Sequence, residues 1–100
     1  MFHYRDPIRE IAEEDGYFLT ETAEGMNLAL KTILGFASII LRELEGGKCY
    51  VKIVLEPPRG LSRTAEEIFE SPYSAAGYVA KWMCGPIYTD LVQEVEALIL

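Results

Sequence analysis

Residues 22–47 read TAEGMNLALKTILGFASIILRELEGG, and the fold turns on how this stretch is read. Asn27, Lys31, Gly35, Ser38, Arg42 and Glu45 recur at intervals of four and three, which on a helix is one narrow polar stripe. Met26, Leu28, Leu30, Ile33, Leu34, Phe36, Ile39, Ile40, Leu41 and Leu44 fill most of the remaining circumference. The pattern predicts a helix over about 23–45, capped by Thr22 and stopped by Gly46 and Gly47. A helix apolar on most sides is buried on most sides, which makes it the centre of the domain or the seam of an oligomer. A membrane span is the competing reading, because residues 26–41 hold only Lys31 as a charge. That run is shorter than the roughly 20 residues a bilayer core requires, and a mid-span lysine costs about 2.5–3.5 kcal/mol, so no membrane insertion is expected.

Working outward, residues 48–60, KCYVKIVLEPPRG, alternate strictly: Cys49, Val51, Ile53 and Leu55 on one side, Tyr50, Lys52, Val54 and Glu56 on the other. This is a half-buried strand, ended by two prolines that fix φ and withdraw backbone donors. Its N–H and C=O groups need partners on two edges. Residues 17–21, within GYFLTET, are the candidate mate on one edge; a terminal strand, the same strand of another subunit or a strand of a partner is expected on the other.

The flanks read as helices. In DPIREIAEEDG, Asp6 is the expected N-cap and Pro7 the first helical residue, with Ile8, Ile11 and Ala12 on one face, Glu10, Glu13 and Glu14 on the other, and Gly16 as the stop. TAEEIFES pairs Thr64 with Glu67 as a capping box and predicts a short helix to Glu70. SPYSAAGYVAKWMCG restarts with Ser71 as cap and Pro72 at the first position, running to Cys84 with Gly85 as stop. A last helix follows from Pro86, burying Ile87, Leu91, Val95 and Leu98, with Val92 and Ile99 beside them. The resulting expectation is a single α+β domain over residues 1–100, helix-dominant at near two thirds helix. It has one long central helix, three to four shorter ones and a small two- or three-stranded sheet.

The net charge of −7 is uneven: residues 1–25 carry −5, residues 26–65 carry +3 and residues 66–100 carry −5. An acidic chain has little affinity for nucleic acid or anionic lipid, both of which need phosphate neutralised by Lys and Arg. Half the residues are hydrophobic, high for a chain of this size, so a homo-oligomer, most simply a dimer, is expected. Cys49 and Cys84 are far apart without a CxxC, which reads as two buried thiols in a reducing compartment. MFHYRDPIRE has no basic segment leading into an apolar run, so no signal peptide is expected and the chain is assigned to the cytoplasm.

No motif is specific for a reaction. His3, the sole histidine, stands in a segment expected to fray, and with two remote cysteines it matches neither a nucleophilic triad nor a zinc spacing. The GGK at 46–48 lacks the first glycine and the hydroxyl of a phosphate loop. Tyr78 and Lys81 stand one turn apart, which surface packing explains better than catalysis. Lys48, Lys52, Arg59 and Arg63 form a basic loop around PPRG that reads as solvated charge, without the interleaved aromatics of a single-strand binder. What remains is binding. The acidic sets Glu10, Glu13, Glu14 and Glu66, Glu67, Glu70, with Tyr73, Tyr78 and Trp82, and Tyr88 nearby, are the candidate contacts for a protein partner of basic character. The reading is a small cytoplasmic interaction module, a regulator, inhibitor or adaptor without catalysis, metal or cofactor. The alternative is a ligand-binding domain or small enzyme subunit with a pocket between the central helix and the Tyr/Trp helix, lined by Tyr78, Trp82, Lys81 and Glu70.

Overall fold

Residues 22–47 are not a helix. In the structure, a computed structural model that describes residues 3–57 and 60–93, they are the centre of an antiparallel sheet. Strand β1 (Phe18–Thr22) is followed by β2 (Gly25–Thr32), β3 (Gly35–Glu43), β4 (Cys49–Glu56) and β5 (Arg63–Phe69), and the five pair in the order β1-β2-β3-β4-β5. Helix α1 (Asp6–Asp15) precedes the sheet; α2 (Pro72–Trp82) follows it and continues as a π-helical segment, Met83–Gln93. The helix-dominant expectation, with its long central helix and small sheet, is therefore corrected to a five-stranded meander with two helical runs.

The physical reason lies in a spacing that serves both periods. Residues four apart share a face of a helix, but because four is even they also share a face of a strand. Asn27 and Lys31 lie on the outer face of β2, and Ser38 and Arg42 on the same face of β3, because the two-residue turn pairs Lys31 with Phe36 and Asn27 with Ile40. The expected polar stripe is the solvent side of a hairpin. Its turns share a motif that the helical reading passes over: Thr22-Ala23-Glu24-Gly25 and Thr32-Ile33-Leu34-Gly35. Thr22 Oγ1 accepts from the N–H of Gly25 at 3.2 Å, and Thr32 Oγ1 from that of Leu34 at 3.0 Å, so Thr22 closes a turn rather than capping a helix. Both glycines are required. A Cβ on Gly25 would stand 1.9 Å from the Leu41 carbonyl oxygen, and Gly35, at φ +144°, would place one 2.2 Å from that of Glu56. Gly46 and Gly47, at φ +76° and +79°, turn the chain from β3 into β4 rather than ending a helix.

The β4 reading holds. Cys49, Val51, Ile53 and Leu55 are fully buried, but both edges of the strand are filled from within the chain, by β3 and β5. Residues 18–22 pair with β2 instead. Three register rows make the core: Met26–Leu41–Val51, Leu28–Ile39–Ile53 and Leu30–Ala37–Leu55. Ile8 and Ala12 of α1, Ala75, Ala76 and Val79 of α2, and Met83, Ile87 and Leu91 of the π-helical segment are buried in the same cluster. Helix α1 sits toward β1, α2 toward β4 and β5.

The start of α2 follows the sequence, with Ser71 Oγ accepting from the N–H of Ser74 at 3.2 Å. At α1 the expected cap Asp6 is itself the first helical residue and Arg5 stands at the cap position, while the Asp6 carboxylate accepts from the His3 N–H at 3.0 Å. The stop at left-handed Gly16 is as expected. The expected stop at Gly85 does not occur; Gly85 and Pro86 lie inside the π-helical segment, whose wider turn accommodates a residue that cannot donate to an α-helical ladder. Val95, Leu98 and Ile99 fall outside the described residues. So do Pro58 and Arg59 of the proline loop. Among the described residues, no helix is long and apolar enough to cross a membrane.

Adjacent residues test the fold directly. Ile39→Ala should cost about 2–5 kcal/mol in urea unfolding, while Ile40→Thr, on the open face, should cost under about 1 kcal/mol in dilute protein. Equal losses at the two sites would mark a helix buried all round.

Candidate interaction surface

The acidic sets fall on different surfaces. Glu10, Glu13 and Glu14 are exposed on α1, as the sequence reading has them. Glu66 and Glu67 are not on a helix: the TAEEIFES capping box is overturned, and these residues lie in β5, in full register with β4 from Cys49–Phe69 to Leu55–Arg63. Alternation sends them to opposite faces, Glu66 beside Lys52 on the outer face and Glu67 on the helix side. Glu70, exposed, leads from β5 toward α2. The strand wins over the capping box because Arg63, Ala65, Glu67 and Phe69 continue the inner row of β4, pairing Ala65 with Ile53 and Phe69 with Cys49.

Against that row stands an aromatic shelf. Phe69 meets Tyr78 at 5.0 Å between ring centroids, Tyr78 meets Trp82 edge-on at 6.5 Å, and the Arg63 guanidinium lies 5.9 Å over the Trp82 ring while pairing with Asp90. Tyr78 and Trp82 are half-buried, so each offers an edge to solvent. Tyr73 belongs elsewhere: it is exposed and packs against Tyr4 at 6.0 Å. The structure thus places Glu67 on the same side of β5 as Tyr78 and Trp82, sets Glu66 on the opposite face beside Tyr50, and separates Tyr73 and the α1 glutamates from both. The expected pocket beside a central helix loses its wall, because that helix is a hairpin.

Among the described residues, β5 has a strand on its β4 side alone. Glu67 and Glu70 have no cationic partner there, and Glu66 faces the Tyr50 phenol, whose pKa is raised by burial and by the hydrogen bond to that carboxylate. At the opposite edge, the β1 carboxylate Glu21 is already held by Arg9, with contacts of 2.8 Å, and by Arg5. The basic loop is dispersed: Lys48 precedes β4, Lys52 lies mid-strand on the outer face, and Arg63 sits at the far end of the β4–β5 pairing.

A second cluster was invisible in the sequence. Arg5, 8% exposed, donates from Nε to Tyr4 Oη at 2.9 Å, from Nη2 to Glu43 at 2.6 Å and from Nη1 to the Thr22 carbonyl at 2.9 Å, and the Tyr4 hydroxyl donates to Glu43. Residues expected to fray are thus a buried clamp joining the start of α1 to β1 and β3. The Tyr4 bond and then Arg5 hold Glu43 below the usual carboxylate range, and Arg9 followed by Arg5 does the same for Glu21. Burial works to lower the Arg5 pKa, yet its bonds to Tyr4, Glu43 and Glu21 raise it; burial and the Glu43 bond push the Tyr4 phenol up to about 12. Only a contact map could have found this, since the partners stand 16 and 38 residues away.

Cys49 is buried, its thiol pushed up to about 11 by burial, while Cys84 is exposed, contrary to the reading of both as buried; both are free thiols. Among the described residues, no three His, Cys, Asp or Glu side chains converge as metal ligands. The chain matches no protein-family model, no curated protein and no solved structure.

The clamp sets an acid limit. Glu43 and Glu21 titrate lower folded than unfolded, so their contribution is present above the ordinary carboxylate value of 4.5 and is lost as pH falls through the folded values. The melting temperature should drop on acidification through that range. Glu43→Gln should lower stability by about 1 kcal/mol at neutral pH, a charged bond discounted for partial exposure, and flatten the acid slope.

Proposed function

We propose that this chain is a small, non-catalytic interaction module, a regulator, inhibitor or adaptor, that holds an extended basic segment of a protein partner along the free edge of β5. The observation that carries the reading is that edge itself. Alternate residues of β5 present backbone N–H and C=O groups away from β4, and an added strand supplies their partners. Glu66, Glu67 and Glu70 favour lysine or arginine on the incoming strand, and Tyr78 and Trp82 offer apolar and cation–π contact to its side chains.

The same charges argue against a second β5 edge as the occupant, because pairing β5 with itself would bring glutamates together. A net charge of −7 and dispersed bases favour a protein partner over nucleic acid. Two free thiols suit a reducing compartment, and we assign the module to the cytoplasm on that ground.

A synthetic decapeptide alternating lysine and valine is a direct probe. Its addition should shift and protect the amides of residues 63–69, with affinity falling as salt rises. Replacing Glu66, Glu67 and Glu70 together by Gln should weaken binding about twofold to fivefold, because lysines on one face of the added strand meet one or two of these exposed carboxylates at roughly 0.5 kcal/mol each. Unchanged amides in β5 at saturating peptide would remove the edge as the site.

A further inference from the structure

The helices cover one face of the sheet. The other, among the described residues, has nothing packed upon it, and it is not the polar surface that a solvated sheet face normally shows. Phe18, Ala29, Phe36, Ile40, Tyr50, Val54 and Ile68 all lie there by register, Phe18 at 76% and Ile68 at 58% exposure. Between Phe18 and Ile40, over the small side chains of Ala29 and Ser38, the face has a shallow hollow of about 300 Å³.

We propose that two copies of the chain meet through this face, sheet against sheet. Three observations favour a second copy as occupant. The first is area: five strands spaced at about 4.8 Å and paired over about 25 Å give a projected face of about 600 Å², which side-chain relief brings near the roughly 800 Å² per partner of a stable interface. The second is charge. The face carries Lys31, Arg42 and Lys52 with Glu56 and Glu66, a mixed set of net +1 on a chain of −7, so two acidic chains repel less here than their net charge implies, and Arg42 is held by Asn27 of its own chain. A strongly charged partner of either sign gains little from such a face.

The third is self-complementarity. A two-fold axis along β3 lays β1 of one copy over β5 of the other and β2 over β4, which brings Val54 of each over the hollow at Ala29 of its mate, sets Ile40 against Ile40 and sets Lys31 against Glu56 twice. Backbone groups along the β5 edge point in the plane of the sheet rather than into this face, so the edge stays open to a peptide in the pair, with Glu66 at the boundary of the two surfaces.

Sedimentation equilibrium of the full chain, from low micromolar to millimolar protein, reads the proposal. The expected mass rises to twice the 11.3 kDa of the chain. Ile40→Glu and Val54→Lys, separately, should return it to the single-chain mass at every concentration with unchanged far-ultraviolet dichroism, while Glu67→Gln should leave the doubled mass in place. Without any substitution, the methyl signals of Ile40 and Val54 should be shielded from a soluble gadolinium chelate in concentrated protein and broadened on dilution. A single-chain mass for the unsubstituted protein at millimolar concentration overturns the proposal, whatever else binds the face. So does a doubled mass that survives in a folded Ile40→Glu or Val54→Lys chain, or methyls equally broadened at all concentrations.

Discussion

Burial of one face of β2, β3 and β4 beneath two helical runs is the constraint on which the rest of this molecule depends. The row Leu28–Ile39–Ile53 lies at its centre, in register and closed to solvent, and α1, α2 and the π-helical segment are amphipathic because they serve that face. Among the described residues, the helical runs cover one side of the five strands, which leaves the outer face and the β5 edge without a covering element.

The two sheet edges are managed differently. At β1, Arg5 and Arg9 tie Glu21 to the start of α1, and Arg5 carries the tie on to Glu43 in β3, so the first edge is locked to the helix layer by a buried guanidinium. Its attraction for two carboxylates offsets the desolvation of Arg5, and no lone charge is left inside. At β5, Glu67 sits on the inner side with Phe69, which packs on Tyr78, and has no cationic partner among the described residues. An inward charge on an edge strand discourages indiscriminate pairing while leaving the edge available to a strand of opposite charge. One edge is tied into the helix layer; the other, among the described residues, carries no such tie.

Legibility in the sequence followed the range of the interaction. The β4 alternation, Pro7 with Gly16, and Ser71 with Pro72 were readable because each signal is complete within a few residues of its own position. The β2–β3 hairpin was misread because Asn27, Lys31, Ser38 and Arg42 obey a spacing of four, which helix and strand share. The discriminating sign was the repeated Thr-x-x-Gly, ten residues apart, around the alternating Met26-Asn27-Leu28-Ala29-Leu30-Lys31. The β5 capping box failed for a related reason: a Thr three residues before a Glu is a local option, and seven ladder pairs with β4 outweigh it. Of the candidate site, the glutamates and aromatics were visible as residue types; that Glu67 shares the helix side of β5 with Tyr78 and Trp82, while Glu66 faces outward and Tyr73 and the α1 glutamates lie elsewhere, was not.

By itself the sequence determined the acidic balance, the inner side of β4, the Gly16 stop of α1 and the start of α2, because these rest on composition, short periodicities and terminal residues that need no distant partner. The tertiary structure decided whether 22–47 would be helix or hairpin, which face of the sheet would stay open, and that Arg5 would be buried rather than frayed. Each of those outcomes depends on what packs or pairs across the fold, and hydrogen bonds and burial shared between residues far apart in the chain leave no mark on local spacing.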